Sequence, residues 1–342
     1  MKKLLKNTWF NLLLIVGFTA TVLYFTIFDY TDDIFIVLSR VSPRYLILTL
    51  VLAILYHVII GGILTKLTRI SNPRYKYKHG IVNAFVAAFF HGVTPSASGG
   101  QFAQVYIYRK QGVPLSDAAS VLWMDFILYQ STMVFSVLIL LLLRFSYFFT
   151  VHSTLFLLVL IGFAVNSMVI ISLWSLARLP KFHLWVSTKG IDLAHRWKLV
   201  KNKEKLHKNM EAQIERFQVE KNKLSSHLPI ITQVVFANMI RLAIYYLLPF
   251  VIIKALGIDM GKYIWLDVMA LSSFVAMINA FIPIPGASGG TEATFIFMFT
   301  RIVGFINASS VMLIWRFASY YLIMILGGCV FLVVKWYYSR ME

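Results

Sequence analysis

The sequence predicts an all-α, polytopic membrane protein with about six full spans and two broken, re-entrant helical hairpins related as an inverted repeat. Three observations carry this prediction. Residues are 59% hydrophobic and only 13% charged, about half the charged share of an ordinary soluble domain. Several apolar runs exceed the roughly 18–20 residues that a helix needs to cross a bilayer. One six-residue signature also occurs twice, as Pro95-Ser96-Ala97-Ser98-Gly99-Gly100 and Pro285-Gly286-Ala287-Ser288-Gly289-Gly290. The copies align without a gap, and the register persists where Asp117-Ala118-Ala119-Ser120-Val121 faces Asn307-Ala308-Ser309-Ser310-Val311. A duplicated helix breaker between apolar runs is a way to build a central site at membrane depth.

The full spans are expected at about 9–28, 44–65, 117–143, 154–177, 229–253 and 307–335. The first follows Lys2, Lys3 and Lys6 and runs apolar to Phe28. That is longer than a signal-peptide core and lacks a small-x-small cleavage site, so it reads as a retained helix. Two further apolar segments, about 80–108 and 263–300, contain the repeated break. Regular helix cannot continue through Pro95, or through Pro283 and Pro285. Non-helical backbone at membrane depth is tolerated only inside protein or along a polar cavity, which predicts hairpins that enter and leave on one side. The whole chain is expected to form one membrane domain, with repeat 1 at about 44–143, repeat 2 at about 229–335 and a cytoplasmic segment at 178–228 between them.

Lysine and arginine set the expected orientation. Lys2, Lys3 and Lys6 place the N-terminus inside, as do Lys66, Arg69, Arg74, Lys76 and Lys78 for the next loop. Arg109 and Lys110 return the first hairpin to the cytoplasm, while Asp29, Asp32 and Asp33 mark an outer loop. Lys335 and Arg340 put the C-terminus inside. Three spans separate the two signatures, and an odd number makes the hairpins enter from opposite faces, as in alternating-access transporters. The same positive-inside bias accounts for the net charge of +18. No nucleic-acid-binding motif accompanies it, and nucleic acid is not an expected partner.

The segment 178–228 places Leu193, Trp197, Val200, Leu206, Met210, Ile214 and Phe217 at helical spacing among lysines. Such a helix lies in the headgroup layer and favours anionic lipid, or else is a solvated linker on its own bundle.

Charged side chains inside spans cost roughly 2.5–3.5 kcal/mol each on insertion scales and need a reason. The repeat register sets Asp125 opposite Trp315, one residue from Arg316. One reading pairs Asp125 with Arg316 across the pseudo-two-fold axis; the other has each snorkel or meet a carbonyl. Arg241 has no acid nearby in sequence and suits a lipid phosphate, Asp125 or Glu292. Glu292 follows Gly289, Gly290 and Thr291, where it could cap the second half-helix, flank an anion site or relay a proton. Ser96, Ser98 and Ser288 add hydroxyls, Gly99 and Gly100 allow close approach, and the first-copy position matching Glu292 is Phe102, flanked by Gln101 and Gln104, so the two copies are chemically unequal. His57 and His91 read as hydrogen-bonded structural histidines, and Cys329 as a small packing residue.

No metal-ligand spacing, nucleotide-binding loop or nucleophile elbow is present, so no metal, cofactor or catalytic residue is expected. The longest polar stretch, about 50 residues, is too short for a tRNA- or nucleotide-using fold.

The two Pro-x-x-x-Gly-Gly segments, the basic mid-chain stretch and the span pattern together resemble the lysylphosphatidylglycerol synthase transmembrane-region family, the flippase-like membrane domain, from about residue 10 to 335. In members of the multiple-peptide-resistance-factor type, an added soluble domain transfers lysine to phosphatidylglycerol and the membrane domain moves the product across the bilayer. This sequence ends at Glu342, so the resemblance implies the translocating half. By position it implies functional elements at Pro95–Gln104 and Pro285–Glu292. The expectation is a lipid flippase in a bacterial cytoplasmic membrane, acting on membrane phospholipid or an aminoacylated form of it, with a homo-oligomer open. Phosphatidylglycerol lysyltransferase activity and an anionic-lipid-binding scaffold stand as alternatives.

Overall fold

The computed structural model describes residues 31–94, 99–144, 160, 162–168, 171, 204, 226–279, 282 and 284–339. Every regular element among them is helical. A short α1 (Thr31–Ser39) leads into α2 (Pro43–Thr68), whose Pro43 sits where a helix has no N–H to bond anyway. The first break lies between α3 (Tyr77–Val93) and α4 (Gly99–Lys110), and α5 (Leu115–Leu143) follows. The second half repeats this order. Helix α6 (Leu228–Ala255) precedes α7 (Trp265–Asn279), a 3₁₀ turn at Pro285–Ala287 and α8 (Gly290–Val303). Then α9 (Phe305–Arg316), a π turn at Phe317–Tyr321 and α10 (Leu322–Ser339) form one long rod.

At the ends of the two signatures, α4 opens at Gly99 and α8 at Gly290. Among the described residues four helical runs are long and apolar enough to cross a membrane, namely Pro43–Thr68, Leu115–Leu143, Leu228–Ala255 and Phe305–Tyr338. They coincide with the expected spans at 44–65, 117–143, 229–253 and 307–335. The expected span at 9–28 lies outside the described residues, as do Ser96, Ser98 and nearly all of 178–228 and 154–177, although 162–168 is helical.

Contacts at the helix ends fix how the elements run. The equivalent helices α2 and α6 pack side by side. At one end the Ser42 N–H donates to the Ala255 carbonyl at 2.7 Å; at the other Lys66 Nζ donates to Gln233 Oε1 at 2.7 Å. The two helices are therefore antiparallel. The α3–α4 pair closes at the Lys66 end: Gln111 Nε2 donates to the His79 carbonyl at 3.1 Å, and Thr68 Oγ1 to Tyr108 Oη at 3.2 Å. Tyr75 donates to Gln111 there, and burial pushes its phenol well above the ordinary range, so it remains a donor at physiological pH. The α7–α8 pair opens from the other end. Asp267 in the first turn of α7 accepts Arg144 Nε at 2.6 Å from the residue that follows α5, and its second oxygen accepts the Ile264 N–H at 2.9 Å. Helix α9, directly after α8, packs on α1 at this same end.

Within a membrane, helices associate through close packing and polar contacts rather than by hiding apolar surface from water. The α10–α3 crossing shows the consequence. A Cβ on Gly327 would come within 2.2 Å of the Phe85 carbonyl oxygen, so only glycine lets the two backbones meet. Its neighbour Cys329 is exposed instead, contrary to the packing role expected for it; Gly327 does that work.

Two outcomes follow. Gly327→Val should destabilise the protein by about 1–3 kcal/mol through overpacking, measured by thermal unfolding in detergent. In a Cys329→Ser background, cysteine pairs at Ser42/Ala255 and at Lys66/Gln233 should cross-link on mild oxidation, whereas Ser42/Gln233 should not.

Candidate functional site

The second break is held by one buried ion pair. Pro285 starts the 3₁₀ turn without an N–H to give, and Gly286 takes φ +60°, a left-handed conformation that L side chains avoid. A Cβ there would also lie 2.0 Å from Tyr320 Oη. The chain reverses again at Gly289 with φ +84°, and α8 begins. Glu292 then reaches back: its Oε2 accepts the Gly289 N–H at 2.7 Å, capping the half-helix. Its Oε1 accepts Arg316 Nε at 2.8 Å. Arg316 Nη2 donates to the Gly286 carbonyl at 2.6 Å and approaches Ser288 Oγ at 3.5 Å. Glu292 and Ser288 are fully buried and Arg316 is 7% exposed.

Arg316 therefore pairs with Glu292 and not with Asp125. The register compares positions on equivalent helices, while the turn at Gly304, with φ +80°, folds α9 back against α8 and brings Arg316 to Glu292. Of the roles open for Glu292, capping is realised together with the ion pair. Thr291 turns its hydroxyl into the Ala287 carbonyl at 2.9 Å, bracing the same turn. Gly290 lies against Ile282, whose Cδ1 stands 2.5 Å from where a Cβ would be.

Tyr320 joins the two breaks. Its ring lies 3.9 Å from the Arg316 guanidinium carbon, a cation–π contact, and its hydroxyl donates to the Gly92 carbonyl at 3.0 Å. Gly92 lies in the last turn of α3, two residues before Thr94, whose Oγ1 accepts the Gly99 N–H at 2.8 Å and so caps α4. Gly100 lies against the His91 ring. Gln104 is buried on α4, while Gln101 is exposed beside Phe102.

A second polar cluster lies among α2, α5 and α6. Arg241, 4% exposed, sits with its guanidinium 4.2 Å from the Tyr129 ring and 5.9 Å from that of Tyr56. Asp125, one turn before Tyr129 on α5, has its Oδ1 without a hydrogen-bond partner. Asn238, fully buried one turn before Arg241, also has both side-chain polar atoms unpartnered. An aromatic chain links this cluster to the break: Tyr56 to Tyr245 at 5.5 Å, Tyr245 to Trp315 at 5.8 Å, and Trp315 to Phe295 at 4.9 Å. His57 Nδ1–H donates to the Ala53 carbonyl at 3.2 Å, one turn back on α2.

Sequence reasoning missed Tyr320, Asn238 and Tyr129. Each had a helical signal: Tyr320 lies four residues after Arg316, Asn238 three before Arg241, and Tyr129 four after Asp125, all same-face spacings. Among the described residues no group of three potential metal ligands occurs.

A family model described as "Lysylphosphatidylglycerol synthase TM region" matches residues 9–327. No curated protein matches the chain.

Removing one member of the buried pair leaves the other charge uncompensated. Glu292→Gln and Arg316→Gln should each cost about 3–5 kcal/mol of stability, and the double change should cost less than their sum. A double-mutant cycle of thermal unfolding in detergent checks this.

Proposed function

The chain belongs to the lysylphosphatidylglycerol synthase TM region family, whose members serve lysylphosphatidylglycerol synthesis or lipid handling in the membrane, and we propose that this protein is a lipid translocase. It moves the head group of a phospholipid, or of an aminoacylated phospholipid, through a polar path between two opposed hairpins. The observation that carries this reading is the meeting of the two breaks through Tyr320, next to a buried Glu292–Arg316 pair. Irregular backbone and ionised side chains inside a membrane bundle belong to transport paths far more than to scaffolding.

The antiparallel run of α2 and α6 supports the inverted-repeat reading, as does the closing of α3–α4 and α7–α8 at opposite ends. Charge supports an orientation. The end with Lys66, Arg69, Arg74, Lys76, Lys78, Arg109 and Lys110 carries Asp117 as its acid among the described residues, while Asp32, Asp33, Asp259 and Asp267 gather at the other. The basic end is then cytoplasmic, in a bacterial plasma membrane. Six spans complete this topology if 9–28 and 154–177 both cross. In this reading Tyr320 releases and remakes its bond to Gly92 as the hairpins alternate.

The lysyltransferase reading predicts a new lipid rather than a new distribution. Lipid extracts of cells expressing the chain should contain no added lysylphosphatidylglycerol; its appearance from this chain alone would replace the translocase reading. In vesicles containing a fluorescent phospholipid, the protein should speed exchange between leaflets. Cysteines at Gly92 and Tyr320, in the Cys329→Ser background, should slow that exchange roughly tenfold or more when oxidised, which is at least about 1.4 kcal/mol on the barrier. Reduction should restore it, and unchanged exchange in the oxidised protein would remove the hairpin contact from the mechanism.

A further inference from the structure

We propose that Asp125, Asn238 and Arg241 form a head-group recognition site, distinct from the Glu292–Arg316 pair, that takes a phosphodiester bearing N–H donors. This rests on the reading above that the protein handles phospholipid. The two buried arginines differ in what holds them. Arg316 is committed to Glu292 and to the Gly286 carbonyl. Arg241 lies just as deep, with Nε unpartnered among the described residues. Its one aromatic contact under 5 Å is the face of Tyr129, which leaves the guanidinium edge, where the N–H groups point, for a ligand.

The neighbouring groups define that ligand by their bonding capacity. Asn238 is three residues before Arg241 on the same face of α6, and neither its amide nitrogen nor its oxygen is partnered. Asp125 stands one turn before Tyr129, whose ring the Arg241 guanidinium covers, on the same face of α5, and its Oδ1 is unpartnered. Buried polar groups in native proteins are bonded almost without exception, so three unbonded side chains in one place mark a function. A guanidinium only donates, a carboxylate only accepts, and an amide does both. One ligand satisfies all three if it brings acceptor oxygens to Arg241 and the Asn238 nitrogen, and N–H donors to Asp125 and the Asn238 oxygen. A phosphate monoanion or dianion alone meets Arg241 but repels Asp125. A choline head group carries the positive charge without an N–H. A phosphodiester with a primary ammonium, as on phosphatidylethanolamine or an aminoacylated lipid, fits every group.

The test is thermal unfolding of the full chain in detergent with added phosphatidylethanolamine, phosphatidylcholine or inorganic phosphate. Phosphatidylethanolamine at about ten times its dissociation constant should raise the midpoint by roughly 2–4 °C. Phosphatidylcholine should raise it by less than half of that, and inorganic phosphate should leave it unchanged. Arg241→Gln should abolish the response to both lipids, and Asp125→Asn should erase the preference for phosphatidylethanolamine while leaving the response to phosphatidylcholine. If Arg241→Gln fails to fold, Asn238→Ala, which removes no charge, should still halve the phosphatidylethanolamine response. Equal responses to the two lipids in the unmodified chain, a full response to inorganic phosphate, or variants that fold and keep the original response would each overturn the proposal. Retained lipid response without leaflet exchange would defeat the translocase reading alone; exchange that is indifferent to these variants would defeat the recognition site alone.

Discussion

The architecture around the second break depends on one buried ion pair. Glu292 and Arg316 lie 24 residues apart, on the two helices that follow the break, and nearly every irregular feature there is bonded to one of them. The carboxylate takes the first free N–H of α8 through Gly289, and the guanidinium takes the carbonyl that Gly286 exposes by turning left-handed. An apolar pair of the same volume would pack, but it would leave the backbone polar groups of the turn without partners where water is scarce. The charges are therefore retained because the broken backbone needs both a donor and an acceptor.

The two breaks solve the same problem with different chemistry. In the first, the Thr94 hydroxyl caps α4, with the His91 ring set against Gly100. In the second, a full ionic pair does so. Tyr320 spans the difference, stacked on the cation of one break and bonded to the carbonyl of the other. It sits in a π turn, a helical irregularity that frequently marks functional positions, and the wider turn brings its ring over Arg316.

The ring chain from Phe295 through Trp315 and Tyr245 to Tyr56 connects the break to the Arg241 cluster. Two arginines thus share one aromatic interior but have different duties: Arg316 is spent on structure, whereas Arg241 keeps hydrogen-bonding capacity. Residue type alone gives no sign of this division, since both are lone cations in apolar helices.

Composition, hydropathy and the doubled proline–glycine signature determined that the chain is helical, membrane-embedded and interrupted by two helix breaks. These properties follow from local constraints, namely the length needed to cross a bilayer and the inability of proline to continue a helix. The same constraints gave the ends of four spans and the start of both half-helices to within a few residues. Partner choice was another matter. The register placed Asp125 near Arg316, yet Arg316 bonds Glu292, because α8 folds back on α9 before the halves meet. Asp267 with Arg144, and Tyr320 with Gly92, join residues more than 100 positions apart. No periodicity encodes such pairs. A buried charge accepts whichever partner the packed helices bring within reach, and only the tertiary structure decides which one that is.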